Sequence, residues 1–169
     1  MKELLLVIDL QKDFINDNTE NISCNIEKLI SSKKYKYVVF TKFINDINSS
    51  FYKTLNYKGC MSEDGRKIVI DTLEYPILEK KTYTALNYEL KKFIEDNDIK
   101  KIYLCGIDTD ACVLKTAIDL FENNLEVKVI EDCCMSHSGK EYHNSAINML
   151  KKLIGKQNVI NMLGGINSD

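Results

Sequence analysis

The chain has 169 residues, a formal net charge of −2, 44% hydrophobic residues and 28% charged residues. These values are typical of a globular protein that buries its own core, so we expect one domain over residues 1–169. The near-neutral charge excludes the basic surface that nucleic acids and anionic membranes require. No apolar run reaches membrane-spanning length and the first residues do not resemble a signal peptide. We therefore expect a cytoplasmic protein whose partner is a small molecule.

Short apolar runs alternate with helix-like patterns along the sequence. The runs predict six strands, at residues 4–8, 37–40, 76–80, 101–105, 125–130 and 159–160. Patterns with a 3.6-residue period predict four helices: one capped by Ser23, one starting at Thr84 or Asn87, and two over residues 110–123 and 139–154. This alternation predicts a three-layer α/β/α protein with a mainly parallel, Rossmann-like sheet of about six strands.

The segment from Lys42 to Asp71 has no regular pattern and is rich in polar and aromatic residues. A connection of this length inside a small domain usually forms a lid or the wall of a pocket. We therefore expect it to border a ligand site.

Three residues with reactive side chains lie at the ends of predicted strands. Asp9 follows the first strand, Lys80 ends the third, and Cys112 lies in the first turn of the helix after the fourth. The carboxyl ends of parallel strands meet along one edge of a sheet, where open α/β proteins bind ligands. We therefore expect the three side chains to lie together, although a cysteine near a helix start is most often ordinary core packing.

Together these side chains suit hydrolysis through a covalent intermediate. A cysteine thiolate attacks carbonyl carbon and needs a base, a role that the Asp9 carboxylate can fill. The helix amino terminus and the charge of Lys80 favour a thiolate at Cys112, whereas Asp108 and Asp110 oppose it. No G-x-G-x-x-G or G-x-x-x-x-G-K-[ST] segment occurs, so the sequence does not indicate a nucleotide cofactor.

Four segments resemble the isochorismatase-like cysteine hydrolases. Val7–Phe14 is similar to the family's D-x-Q-x-D/N-F opening, and Glu79–Ala85 is similar to its K-x-x-Y-S-A segment. Gly106–Val113 resembles the G-x-x-T-x-x-C-V nucleophile motif, and Val129–Ser136 resembles the later v-i-x-D-a-x-x-S strand end. The four segments occur in the family's order over nearly the whole chain.

The resemblance implies a catalytic triad of Asp9, Lys80 and Cys112. Lys81 replaces Lys80 if the alignment is wrong by one residue. The resemblance also implies a cis peptide between Ile107 and Asp108, with the backbone N–H groups of Asp108 and Cys112 facing an oxyanion.

The same resemblance bears on the substrate pocket and on assembly. We expect four residues from the matching segments to border the substrate: Gln11, Phe14, Tyr83 and Asp110. Asp108 and Asp110 are also candidates to receive a cationic or hydrogen-bond-donating group of the substrate. Family members hydrolyse small amides, carbamoyl compounds, nicotinamide or isochorismate, and usually form dimers or tetramers.

Two departures from the family bear on the reaction. Its nicotinamidases carry an Asp-x-His metal site after the second strand, but no histidine precedes His137 here. The single arginine, Arg66, suits the two carboxylates of isochorismate poorly. The sequence therefore predicts a cysteine amidohydrolase that cleaves a small amide or carbamoyl C–N bond without a metal or cofactor. The alternatives are an isochorismatase-type vinyl ether hydrolase and a catalytically idle fold used for binding.

Overall fold

The computed structural model describes residues 2–162, which are built around one six-stranded sheet. Every pair of neighbouring strands is parallel, and the strand order is β3-β2-β1-β4-β5-β6. The strands are β1 (Glu3–Ile8), β2 (Tyr37–Phe43), β3 (Ile77–Lys80), β4 (Lys101–Ile107), β5 (Glu126–Met135) and β6 (Val159–Ile160). The predicted α/β fold class and all six predicted strands are confirmed.

Helices cover both faces of this sheet. Those in the described residues are α1 (Ile22–Ser31), α2 (Ser50–Leu55), α3 (Tyr88–Asp96), α4 (Leu114–Glu122) and α5 (Lys140–Leu153). The connection from β1 to β2 runs across the sheet in the opposite direction to those from β4 to β5 and β6. Because such crossovers are right-handed, α1 lies on one face and α4 and α5 lie on the other. Between residues 2 and 162 no helix is both long and apolar enough to cross a bilayer.

The central strand β1 determines where the ligand site forms. Its residues Leu4–Ile8 are fully buried, as expected for a continuous apolar run in a parallel sheet. β1 pairs with β2 on one side and with β4 on the other, where Ile8 aligns with Gly106. The order of the strands along the chain reverses between β1 and β4, and open α/β sheets bind ligands in the crevice at such a point.

Two predicted helix and loop boundaries are wrong. α1 begins at Ile22 with Asn21 at its N-cap position, and Ser23 lies inside the first turn, where its hydroxyl donates to the carbonyl of Glu20. The segment from Lys42 to Asp71, predicted to be irregular, includes the end of β2 and the helix α2. That helix is short, and a capping hydroxyl from Ser49 rather than an apolar stripe marks its start.

β5 extends five residues beyond its predicted end. The predicted strand stopped at residue 130 because Glu131 and Asp132 are charged, whereas the strand continues to Met135. The charged pair lies at a register shift against β4, between the positions that align with Leu104 and Gly106. Beyond the shift, the buried Cys134 aligns with Gly106 and Met135 aligns with Ile107. The polar residues therefore mark an irregularity within the strand.

Candidate active site

Lys80 connects the other two predicted catalytic residues. Its Nζ lies 2.6 Å from Oδ2 of Asp9 and 3.4 Å from Sγ of Cys112. The same ammonium donates to the carbonyl oxygens of Thr82 and Tyr83, at 2.8 and 3.2 Å. The structure thus brings Asp9, Lys80 and Cys112 together at the carboxyl edge of the sheet.

The path of the Lys80 side chain explains how a residue on the edge strand reaches β1. β2 lies between β3 and β1, and Nζ of Lys80 lies 5.3 Å from the ring centroid of Phe43 on β2. This is within the range of a cation–π contact. Lys81 lies elsewhere, since its side chain is 70% exposed and its Nζ is 3.6 Å from the carboxylate of Asp46.

Thr41 at the end of β2 holds Asp9 in place. The backbone N–H of Asp9 donates to Oγ1 of Thr41 at 3.1 Å, and that hydroxyl donates to Oδ1 of Asp9 at 2.6 Å. Lys80 faces the other carboxylate oxygen. Both oxygens of this fully buried side chain therefore have a polar partner, as burial of a charge requires.

Cys112 lies in a turn that is wider than the predicted first turn of an α-helix. Thr109–Val113 form a π-helical turn ahead of α4. The turn is wide because the N–H of Val113 donates to the carbonyl of Asp108, five residues earlier. Single π-helical turns are frequent at functional sites.

Burial of Cys112 adds an influence on its thiol that the sequence did not reveal. Burial, and then the charge of Asp9, raise the pKa of the Cys112 thiol well above its ordinary value, and Lys80 opposes this only in part. Burial lowers the pKa of Lys80, but Asp9 and Cys112 outweigh it, so the pKa of Lys80 is raised overall. Burial therefore adds to the influences that favour the thiol form of Cys112, and it gives Asp9 a proton to accept when the sulfur attacks.

A cavity of about 250 Å³ opens at Cys112. This is slightly below the roughly 300–1,000 Å³ of pockets for drug-sized ligands, so the cavity suits a small molecule. Its lining consists of Phe14, Phe43, Phe51, Leu55, Tyr57, Tyr83, Asp108, Asp110, Ala111, Cys112, His137 and Ser138. Three of the four residues predicted to border the substrate, Phe14, Tyr83 and Asp110, are among them. The segment that follows β2 supplies Phe51, Leu55 and Tyr57, so it forms a pocket wall as expected.

Five aromatic rings line this cavity in one continuous series, which we call the aromatic belt (Phe14, Phe43, Phe51, Tyr57 and Tyr83). The ring of Phe14 stacks on Tyr57 with centroids 6.2 Å apart, and it also lies 6.5 Å from Phe43. Phe51 contacts Phe43 and Tyr83 edge to face, at 4.9 and 4.8 Å. Rings from four separate parts of the chain therefore form one apolar wall.

Gln11 does not border the cavity, which corrects the prediction. Its side-chain nitrogen donates to the carbonyls of Phe43 and Arg66, at 3.0 and 3.1 Å, and its Oε1 accepts from the N–H of Phe43 at 2.7 Å. The side chain is fully buried and its amide is taken up by backbone groups. Gln11 therefore connects β2 to the loop behind it and has no group left for a substrate.

Arg66 and Asn45 hold the loop that carries the aromatic wall. The Arg66 guanidinium donates to the carbonyls of Cys60 and Asn45, at 2.8 and 2.9 Å. The buried Asn45 amide donates to the carbonyls of Tyr57 and Gly59, both at 3.0 Å. The single arginine of the chain thus has a structural role outside the cavity lining.

Asp108 is paired with His137 at one side of the cavity. Its Oδ1 accepts from the backbone N–H of His137 at 2.7 Å, and its Oδ2 lies 2.5 Å from Nδ1 of the same residue. The peptide between Ile107 and Asp108 is cis, as the resemblance implied. Both carboxylate oxygens of Asp108 are therefore already engaged, and Asp108 is not available to receive a substrate cation.

This pairing predicts a pH-dependent contribution to stability. The hydrogen bond to Asp108 raises the pKa of His137 above its ordinary 6.5, although burial opposes the shift. A raised pKa in the folded state stabilises the fold fully below pH 6.5, and this contribution is lost as pH rises through the raised value. We expect His137→Gln to lower the free energy of unfolding by about 1 kcal/mol at pH 6 and by less at pH 9. Urea unfolding of both proteins at the two pH values measures this, and an equal loss at both would contradict it.

Sequence reasoning missed Thr41, Phe43 and His137, although the signal that found Asp9 and Lys80 applies to them. Thr41 and Phe43 lie at the carboxyl end of β2, and His137 follows β5. His137 was missed because the end of β5 was predicted too early. Across residues 2–162 no three or more His, Cys, Asp or Glu side chains group together in a way that could hold a metal ion.

The fold and the site define a doubly wound α/β protein with a buried cysteine, lysine and aspartate in contact at the switch point of its sheet. The chain belongs to the isochorismatase-like hydrolase family, since the family model for the Isochorismatase domain matches residues 3–159. It is similar to Isochorismatase family protein 2A of Dictyostelium discoideum, with 28% identity over 147 residues. The match covers 83% of this chain and 70% of that relative.

Two solved structures have a similar fold. An isochorismatase-like hydrolase from Alkaliphilus metalliredigens matches with a TM-score of 0.85 and 19% identity, covering 98% of both chains. The nicotinamidase PncA from Bacillus subtilis matches with a TM-score of 0.82 and 22% identity, covering 96% of this chain and 100% of that chain. At these identities the likeness shows the fold, so the substrate has to be argued from the site.

Proposed function

We propose that this protein is a cysteine hydrolase that cleaves a small amide or carbamoyl C–N bond through a thioester on Cys112, without a metal or cofactor. One observation carries the proposal: Nζ of Lys80 contacts both the Asp9 carboxylate and the Cys112 sulfur, and Cys112 lines the cavity. A nucleophile, a base and a charge that orders both are thus in contact where a small molecule can enter.

The first half of the reaction forms the thioester. Asp9 accepts the proton of the Cys112 thiol as the sulfur attacks the carbonyl carbon, which gives a tetrahedral intermediate with a negatively charged oxygen. The intermediate collapses by breaking its C–N bond, and the proton held by Asp9 passes to the departing nitrogen. Lys80 remains charged and keeps the carboxylate and the sulfur in contact. Burial raises the pKa of the Cys112 thiol, which fits a step in which Asp9 accepts its proton.

The second half regenerates the enzyme. Asp9, again ionised, takes a proton from a water molecule that attacks the thioester carbon, and the C–S bond breaks to release a carboxylic or carbamic acid. The proton then returns to the sulfur. In both halves the oxyanion lies near the backbone N–H groups of Asp108 and Cys112. The N–H of Asp108 has no acceptor among residues 2–162, which supports this role.

The thioester itself provides the test. We expect a transient mass gain on Cys112 when intact protein is analysed during turnover of nicotinamide, N-carbamoyl compounds or isochorismate. Cys112→Ala and Asp9→Asn should lose the adduct and at least about a thousandfold in kcat. Mass spectrometry of the quenched protein, followed by peptide mapping, measures the adduct.

Matched controls separate this chemistry from general thiol reactivity. Cys24 is exposed, so Cys24→Ala removes the most accessible thiol and should leave both the adduct and kcat unchanged. A parallel reaction in EDTA should proceed at the same rate, because the proposed route uses no metal. Turnover that persists in Cys112→Ala, or the absence of both product and adduct across the whole panel, would contradict the proposal.

We propose in addition that the protein is cytoplasmic and works as a homo-oligomer, a dimer or tetramer, with no nucleic acid or membrane partner. The family resemblance supports the oligomer, and the formal net charge of −2 supports the lack of an anionic partner. Light scattering of the purified protein measures its assembly.

A further inference from the structure

Asp110 is a carboxylate in the cavity lining without a partner. It lies two residues before Cys112, and its side chain accepts no hydrogen bond and forms no ion pair with any residue between 2 and 162. Oδ1 is closed to solvent and still has no donor. Buried acceptors in folded proteins nearly always have a donor, so an orphan beside a nucleophile indicates that a ligand supplies it. Asp108 differs, because His137 occupies both of its oxygens.

The charges around the cavity also favour a cationic ligand over an anionic one. The lining residues and the ion pair beneath them include the carboxylates of Asp9, Asp108 and Asp110, against one lysine and one histidine. The net charge of this group is therefore −1 when His137 is protonated and −2 when it is neutral. An anionic ligand would meet a repulsive field here, whereas a cation would be attracted.

The aromatic belt gives an independent reason to expect a cation. Ring faces attract ammonium groups, and cages of several rings are a frequent way to bind quaternary ammonium ligands. Five rings line this small cavity in continuous contact, and one of them, Phe43, already lies beneath the ammonium of Lys80. A cage of rings with a carboxylate at its edge suits an organic cation better than it suits a neutral aromatic compound.

We infer that the substrate is a small organic cation: an amide or carbamoyl compound that also carries an ammonium or quaternary ammonium group, held by Asp110 and the aromatic belt. This inference rests on the proposed function, since it names the substrate class of the same site. It assigns Asp110 a role in specificity, separate from the chemistry of Asp9, Lys80 and Cys112.

Three benzamides of nearly equal size test the inference by kinetics. They carry at the 3-position an aminomethyl group, a hydroxymethyl group or a carboxyl group, which are cationic, neutral and anionic at pH 7. We expect kcat/KM to be about tenfold higher for the amine than for the alcohol, and lowest for the acid. In Asp110→Asn the kcat/KM ratio of the amine to the alcohol should fall to near one.

Asp96→Asn is the matched control. Asp96 is an exposed residue at the end of α3, outside the cavity lining, so this variant removes one negative charge without changing the site. It should keep the full preference for the amine. If the wild type hydrolyses the amine and the acid equally well, or if Asp110→Asn keeps the preference, the inference is overturned while the hydrolase proposal stands.

Equilibrium binding gives a readout that does not depend on turnover. Isothermal titration compares benzylammonium, benzyl alcohol and benzoate, which should bind in that order to the wild type. The advantage of benzylammonium should disappear in Asp110→Asn. If no benzamide is hydrolysed, and the panel of nicotinamide, N-carbamoyl compounds and isochorismate gives neither product nor Cys112 adduct, the hydrolase proposal fails, and this titration still decides the cation site. Equal binding of the three probes would overturn it.

Discussion

Lys80→Met is expected to abolish turnover and to destabilise the fold. The Lys80 and Asp9 side chains are 1% and 0% exposed, so removing the ammonium leaves a buried carboxylate with no countercharge. Breaking one side of a buried ion pair typically costs about 3–5 kcal/mol. The same change removes the group that contacts both Asp9 and Cys112, so we expect kcat to fall at least about a thousandfold. Urea unfolding and steady-state rates on one preparation measure both effects.

Lys81→Met is the control for this variant. Its side chain is 70% exposed and pairs with Asp46 across 3.6 Å at the surface, where such pairs contribute less than about 1 kcal/mol. We expect its stability and kcat to remain close to the wild type. Loss of activity in Lys81→Met with retention in Lys80→Met would reverse the assignment of the catalytic lysine.

A double variant separates the two roles of Lys80. Asp9→Asn in the Lys80→Met background removes the stranded charge, so much of the lost stability should return. Activity should not return, because both Asp9, the proposed base, and the Lys80 ammonium are missing. Recovery of activity together with stability would mean that Lys80 acts only through folding.

The positions of Asp9, Lys80 and Cys112 were predictable because each depends on a single rule, that parallel strands gather their carboxyl ends at one edge. The apolar runs before Asp9 and Lys80 mark those ends clearly. The rule failed for His137, because Glu131 and Asp132 are charged residues within β5. Because of their charge the strand was predicted to end before them, whereas β5 continues to Met135. Sequence patterns show where a strand becomes polar, which is not always where it stops.

The pKa shift of Cys112 and the contacts of Gln11 were not predictable in the same way. The sequence showed opposing influences on the Cys112 thiol, but the largest influence on its pKa is burial, which raises it. Gln11 occupies a motif position beside Asp9, yet its amide is used by the backbone of Phe43 and Arg66, far away in sequence. Both outcomes depend on long-range contacts that no local pattern records.

Gly106→Ala is expected to prevent the two central strands from meeting. A Cβ at this position would lie 2.1 Å from the carbonyl oxygen of Ile8 and 2.7 Å from its nitrogen, and the backbone has a φ of +121°. Backbone atoms of a fully buried strand cannot rotate away from such a contact. We expect a loss of at least about 4 kcal/mol in the free energy of unfolding, or failure to fold. Urea unfolding of the soluble fraction measures it.

Gly139→Ala distinguishes steric conflict from conformational strain. Its φ of +114° is close to that of Gly106, but the nearest atoms to its Cβ would be 3.9 Å away, in the side chain of Asn18. This variant should therefore lose only about 1–3 kcal/mol, the cost of an unfavourable backbone conformation. Equal losses at the two glycines would mean that β4 and β1 have room to separate. In that case Asp9 would move away from Cys112, and a folded Gly106→Ala protein should lose activity in proportion, because Asp9, the proposed base, follows Ile8 directly.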